Sequence, residues 1–203
     1  MTVEEIDLYW MRVEDLAKYL PPGGSSKAGA RSAEELAEKL ISRSVKAVDC
    51  PEIDRTMAEA IDAVLGITTR LPESDPMQEG VNERLFEYGH PDADSPIILT
   101  SNSVLTQKIL REILDAAKVK AFVIPVDTNG YTMDNSVVAG KFTPMAVMKA
   151  LADSGIAGKS SSRRALISGL AGDQKSSIER VTRWTLEVGP VSGYELPLYL
   201  LRR

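Results

Sequence analysis

The chain has 203 residues, 43 % of them hydrophobic and 26 % charged, with a formal net charge of -5, a composition that describes a folded globular protein. The acidic balance argues against non-specific nucleic-acid binding, which needs a basic surface. One cysteine, Cys50, and one histidine, His90, exclude an internal disulfide framework and any multi-cysteine or multi-histidine metal site.

The N-terminus MTVEEIDLYW lacks the basic start and apolar core of a signal peptide. No apolar run approaches the ~20 residues of a membrane helix. The expectation is therefore a cytoplasmic protein with neither membrane nor nucleic-acid partners; the sequence leaves its oligomeric state open. Residues 13–20 carry Val13, Leu16, Ala17 and Leu20 at the spacing of an amphipathic helix. Pro21, Pro22, Gly23 and Gly24 stop it and open a polar loop. Ser32 predicts an N-cap, with Glu34 and Glu35 in the first turn, for a helix repeating Leu36, Leu40 and Ile41 on one face. A short strand or turn over 44–52 leads to a third helix over 53–65. Residues 66–94, punctuated by Pro72, Pro76 and Pro91, read as a linker with a short helix at 81–88, and His90 within it as a solvated loop residue.

From Ser95 onward, apolar runs of four to six residues alternate with segments of helical period. Strands are predicted near 97–99, 121–126, 165–168 and 185–188, and helices near 104–118, 143–154 and 173–184. Thr143-Pro144 is a good helix start and Gly155 a fitting stop. The tail ELPLYLLRR is predicted to be a last strand or packing segment. The fold class is α/β: a small, mainly helical N-terminal domain over 1–65, a linker over 66–94, and a Rossmann-like or flavodoxin-like three-layer parallel-sheet domain over 95–203.

In such a sheet the ligand crevice lies beyond the carboxyl ends of the strands. Those joins read Thr100-Ser101-Asn102, Asp127-Thr128-Asn129-Gly130, Gly169-Leu170-Ala171-Gly172 and Gly189-Pro190. All are small, polar or flexible, suited to bringing backbone N–H and hydroxyl groups close to a large polar ligand; β–α joins need caps and glycines in any case. No G-x-G-x-x-G and no complete Walker loop is present. Val138-Ala139-Gly140-Lys141 followed by Phe142-Thr143 echoes only the end of one. There is no G-x-S-x-G, and a single imidazole gives no basis for a nucleophilic triad. Asp127 and Asp134 could share a cleft as an acid/base pair, although aspartate in a loop is more often a turn former. The residues offer a binding crevice without evident catalytic machinery.

The segments LTSNSVLTQKIL, VDTNGYTMDNSVVAGKFTPMAVMKAL, LISGLAG and EVGPVSG, taken in order, resemble the C-terminal corrinoid-binding domain of the corrinoid iron–sulfur protein large subunit. That protein is also the gamma subunit of the acetyl-CoA decarbonylase/synthase complex. The resemblance implies a cobalamin or related cobamide held base-off, with no protein histidine on cobalt. It implies corrinoid contacts from Thr100, Ser101, Asn102, Asp127, Thr128, Asn129, Gly130, Ala139, Gly140, Gly169, Gly189 and Pro190. Ser101 replaces a usual threonine of the family, and Ser103-Val104 replaces an aromatic-alanine pair, either of which alters how the corrin face packs.

The family also has a small N-terminal domain that binds a four-iron cluster through C-x2-C-x4-C and a later C-P. Cys50-Pro51 resembles the last ligand, which places the other three at Ser25, Ala28 and Ala33. Serine and alanine cannot replace cluster thiolates, so no iron–sulfur cluster is expected and Cys50 reads as a small packing residue. The family's methyltransferase-like TIM barrel, of ~200 residues or more, would fall where the linker stands. The resemblance therefore implies a corrinoid-binding methyl-carrier or accessory protein that relies on a separate methyltransferase and a separate reductive activator. The alternatives are a non-catalytic docking or regulatory paralogue that no longer binds corrinoid, and a flavodoxin-like domain for another nucleotide or flavin.

Overall fold

The computed structural model describes residues 10–69 and 78–202. The chain divides into two compact units, one holding residues up to 69 together with 192 onward, the other holding 70–191.

The second unit is built on a five-stranded sheet. Its strands are β1 (Phe86–Tyr88), β2 (Ile97–Ser101), β3 (Ala121–Val126), β4 (Arg164–Ile167) and β5 (Thr185–Val188), in the order β1-β3-β2-β4-β5. β2 to β5 are parallel as predicted, but β1 runs antiparallel to β3. The sheet is thus mixed rather than wholly parallel, and residues 86–88 form a strand rather than the end of a helix. Val81, Leu85 and Tyr88 carry a helical spacing, but pairing with the exposed edge of β3 overrides that local preference. Tyr88 turns inward while Glu87 faces out to Lys159, Oε1 to Nζ 2.8 Å.

β3 (AFVIPV) is buried at every position, as a strand covered on both faces should be. It tolerates Pro125 because β1 pairs only as far as Val123, so a donor at 125 would find no partner on that side. The alternate residues Ile97, Leu99, Phe122, Ile124 and Val126 form one core with Met133, Val147, Leu151 and Ile178. Those four come from α5 (Met133–Val138), α6 (Pro144–Asp153) and α7 (Lys175–Thr182). On the other face, α4 (Val104–Ala116) packs against β1 and β2, as right-handed crossovers require when successive connections travel in opposite directions. Thr143 caps α6 by accepting the Ala146 N–H at 3.1 Å, with Pro144 first in the helix, and Gly155 at φ 70° follows its end. The connection from β2 leads one way to β3 and that from β4 leads the other way to β5. The point of reversal therefore lies between the carboxyl ends of β2 and β4.

The first unit contains α1 (Val13–Ala17), α2 (Ala33–Ile41), α3 (Arg55–Gly66) and the tail helix α8 (Leu196–Leu201). Ser32 caps α2 through the Glu35 N–H at 3.2 Å. Asp54 caps α3 by accepting from Thr56 N and Met57 N, so that helix begins at Arg55 rather than at Ile53. The tail is a helix, not a strand: Pro197 sits in its first turn, where proline is favoured, and α8 packs with α3. Tyr19 OH donates to Glu195 Oε1 at 2.8 Å, which ties α1 to the tail. Among the described residues no helix is long and apolar enough to cross a membrane.

Candidate functional site

The joins at the carboxyl edge of the sheet form two hydrogen-bonded groups. In the first, Asn102, at the end of β2, turns its side chain over the end of β3. Its Oδ1 accepts from Thr128 N at 3.0 Å, from Thr128 Oγ1 at 3.0 Å and from Gly130 N at 3.1 Å. Its Nδ2 donates to Asp127 Oδ1 at 3.4 Å, and the same Asp127 oxygen accepts the Asn129 N–H at 3.0 Å. Asp127 therefore acts as a turn former. Asn129 (φ 58°) and Gly130 (φ 77°) lie in the left-handed region, which asparagine and glycine tolerate best.

In the second group, Gly169 donates its N–H to Pro190 O at 3.0 Å. A Cβ at Gly169 would stand 2.9 Å from Gly189 O, so glycine is needed there for the two joins to meet. Ala139 and Gly140 stand apart from both groups at the end of α5, exposed, with no heavy atom within 4 Å of a Cβ built on Gly140. Thr100 and Ser101 are buried within β2; Ser101 Oγ donates to Thr106 Oγ1 at 3.2 Å. Apart from Ala139 and Gly140, the residues picked out from the sequence thus gather at one edge of the sheet, but the Ser101 hydroxyl and the Asn102 carboxamide are engaged in bonds within the protein.

Two features escaped the sequence reading. Residues 78–81 form a strap across the first group. Val81 donates its N–H to Asn102 O at 2.8 Å and Glu79 O accepts the Val104 N–H at 2.9 Å. A Cβ on Gly130 would collide with Gln78 O at 1.8 Å. Acidic residues and prolines had marked this region as a linker. The second feature is Gln107. It is 4 % exposed, its Nε2 donates to Ser101 O at 2.7 Å, and its Oε1 is buried without a hydrogen-bond partner. The signal was available: 107, 110 and 114 share one stripe of α4, and only 107 is polar.

The joins also carry exposed apolar side chains, Val104, Val188 and Val191, while Val138, 89 % exposed, lies beside Ala139 and Gly140 at the end of α5. His90 is remote from them. It follows β1, whose last residue Tyr88 pairs with Ala121 at the start of β3, and so lies toward the amino edge of the parallel strands.

In the helical unit, Ser25 Oγ donates to Glu52 Oε2 at 2.7 Å, and Ser26 N and Oγ donate to Glu52 Oε1 at 3.1 and 3.0 Å. The Ser25 hydroxyl is the largest influence holding the Glu52 carboxyl down at about 2. Cys50 is 2 % exposed, with Sγ 3.6 Å from Lys46 O, the setting of a packing residue.

Residues 67–200, about two-thirds of the chain, match the model of the family described as CO dehydrogenase/acetyl-CoA synthase delta subunit. Among curated proteins the chain is similar to the acetyl-CoA decarbonylase/synthase complex subunit gamma of Methanopyrus kandleri. The two are 32 % identical over 128 residues, which is 63 % of this chain and 28 % of that protein. The corresponding subunit of Methanocaldococcus jannaschii is 33 % identical over 111 residues, 55 % of this chain and 23 % of the relative. The corrinoid/iron–sulfur protein large subunit of Moorella thermoacetica is 27 % identical over 110 residues, 54 % of this chain and 25 % of the relative. The chain therefore spans about a quarter of the length of the curated relatives it matches.

Proposed function

The chain belongs to the CO dehydrogenase/acetyl-CoA synthase delta subunit family, and from that premise we propose that its sheet unit is a corrinoid-binding module serving as a methyl carrier or accessory component in acetyl-CoA pathway chemistry. The observation that carries this reading is the gathering of the strand-end joins on one sheet edge together with the exposed valines 104, 188 and 191 at those joins. A corrin ring is broad and apolar in the middle, with amide-bearing side chains around it. An apolar rim beside backbone and amide groups is chemistry that fits it.

The donor set fits a base-off corrinoid in a second respect. The chain's one imidazole, His90, sits toward the opposite edge of the sheet, so the joins themselves offer cobalt no imidazole. When bound, the corrinoid would supply a cobalt centre that accepts and donates a methyl group. The protein's part is to hold and orient it. Asp127 and Asn129, exposed at the first group of joins, are the polar contacts assigned to corrin amides. Gly140, with open space around it, lets backbone approach the ring. Asn102, Thr128, Gly130 and Gly169 shape the joins through internal bonds, Thr100 and Ser101 support them from within β2, and Ala139, Gly189 and Pro190 complete the surface.

Serine and alanine at 25, 28 and 33 give no thiolates to a cluster, so reduction of cobalt falls to a separate activator protein and methyl delivery to a separate methyltransferase.

A second reading, a docking or regulatory paralogue that binds no corrinoid, is favoured by the strap 78–81, which already engages Asn102 and Val104. One experiment separates the two. The protein is incubated with hydroxocobalamin and desalted, and its visible spectrum is recorded. A retained corrinoid chromophore is expected; its absence would overturn the first reading in favour of the second. Iron and sulfide assays on the same protein should give neither, and stoichiometric amounts of both would overturn the cluster-free assignment.

A further inference from the structure

The carboxamide of Gln107 occupies the point where the strand order reverses. In a parallel ladder, alternate residues of a strand bond to the neighbours on either side. Pro96 O accepts from Phe122 N, and Asn102 N donates to Val126 O, so the even-numbered residues of this stretch face β3. The odd-numbered ones, Ser101 included, face β4. Pairing of β2 with β4 ends at Leu99 and Ile167, which leaves the Ser101 carbonyl one step beyond the ladder, in the gap between the two strand ends. Gln107 Nε2 is bonded to that carbonyl. Helical side chains lean toward the helix N-terminus, and Gln107 accordingly reaches back past Val104, three residues earlier on the same face and 41 % exposed.

At this gap the Gln107 Oε1 is an acceptor with no donor. Buried polar atoms in folded proteins are nearly always paired, and an exception calls for an explanation. The atom is closed to solvent, and the side chain is fixed at its other end by the Ser101 carbonyl. The side of the join on which a donor could approach is marked by Val104, which is 41 % exposed. Among the described residues no group donates to Oε1.

We propose that Gln107 is a specificity-determining residue whose Oε1 accepts an amide N–H from the ligand at the β2–β4 gap. This rests on the corrinoid reading, which provides a ligand ringed by primary carboxamides, and it adds that the pocket distinguishes those amides from groups of similar size without N–H. Esters at the same positions would leave Oε1 unpaired, and carboxylates would set an anion against an acceptor.

The test compares the wild type with Gln107→Met, a side chain of similar length with no strong acceptor. Two probes are titrated by visible absorbance: cobinamide, which carries peripheral amides, and the heptamethyl ester of cobyrinic acid, which carries none of those N–H donors. The wild type is expected to prefer cobinamide, and the variant to lose about five- to tenfold of that preference, the worth of one buried hydrogen bond. Thermal melts of both ligand-free proteins establish that the variant is folded. Equal weakening of both probes, or no change in their ratio, would overturn the role of Gln107 while leaving corrinoid binding intact. Failure of the wild type to bind either probe would overturn the corrinoid reading itself, and this inference with it.

Discussion

The Oδ1 atom of Asn102 accepts the backbone N–H of Gly130 at 3.1 Å, joining the end of one strand to the loop after its neighbour. Alanine at 102 leaves the N–H groups of Thr128 and Gly130, both in buried residues, without their acceptor. Each such loss costs about 1–3 kcal/mol, so Asn102→Ala should lower stability by about 2–6 kcal/mol in urea unfolding. Asn102→Asp keeps the acceptor but sets a carboxylate beside Asp127. Its deficit relative to wild type should shrink as pH falls through the carboxylate range, where protonation removes the repulsion. An alanine variant within about 0.5 kcal/mol of wild type would show that the clamp is dispensable.

Gly130 cannot carry a side chain in the observed conformation. Its φ is 77° and a Cβ would lie 1.8 Å from Gln78 O. Gly130→Ala should displace the strap 78–81, and hydrogen exchange at the Val81 and Val104 amides, which bond across it, should quicken by at least about tenfold. Unchanged protection at both amides would place the strap's anchor elsewhere.

The Glu52 carboxyl, held by the Ser25 and Ser26 donors, has its pKa lowered to about 2 from an ordinary 4.5. The folded state thus binds this proton more weakly than the unfolded state does. The resulting stabilisation is complete above pH 4.5 and lost as pH falls toward 2. Glu52→Gln removes that titration. The difference in unfolding midpoint between wild type and variant should therefore diminish across this window, followed by circular dichroism. A difference independent of pH would remove the carboxylate from the account.

Val138 is 89 % exposed at the end of α5. A substitution at such a site changes stability by less than about 0.5 kcal/mol, so Val138→Asp should melt like wild type. If the valine covers the face of a corrin ring, the same change should weaken hydroxocobalamin retention by about tenfold. Equal retention would take Val138 out of the contact surface.

Much of the sheet could be read from the sequence because its signals are local. The run from Ala121 to Val126 is apolar throughout, and Ser32 and Thr143 announce the helices they cap. What escaped depends on distant partners. Phe86–Tyr88 is a strand because β3 has a free edge, which a run of three residues cannot reveal. The helix Met133–Val138 carries Asn, Ser and two valines, all indifferent helix formers, and is held by Met133 in the core. The joins were found from their composition. Which of their groups are spent internally, as in Asn102, and which are left over, as in Gln107, depends on atoms brought together only by the fold.

The return of the chain at Ser192 to the helical unit orders events during synthesis. Residues 78–191 are contiguous, so the sheet can close once its last strand has emerged. The helical unit must wait. Tyr194 and Leu198 are almost wholly buried in it, and the bond from Tyr19 to Glu195 spans 176 positions. Such remote contacts are slow to form, and during translation the segments that come first are available first. The helices that precede the sheet unit in the chain therefore complete their core only after it has been made, and until residue 198 appears they expose the surface that the tail will cover.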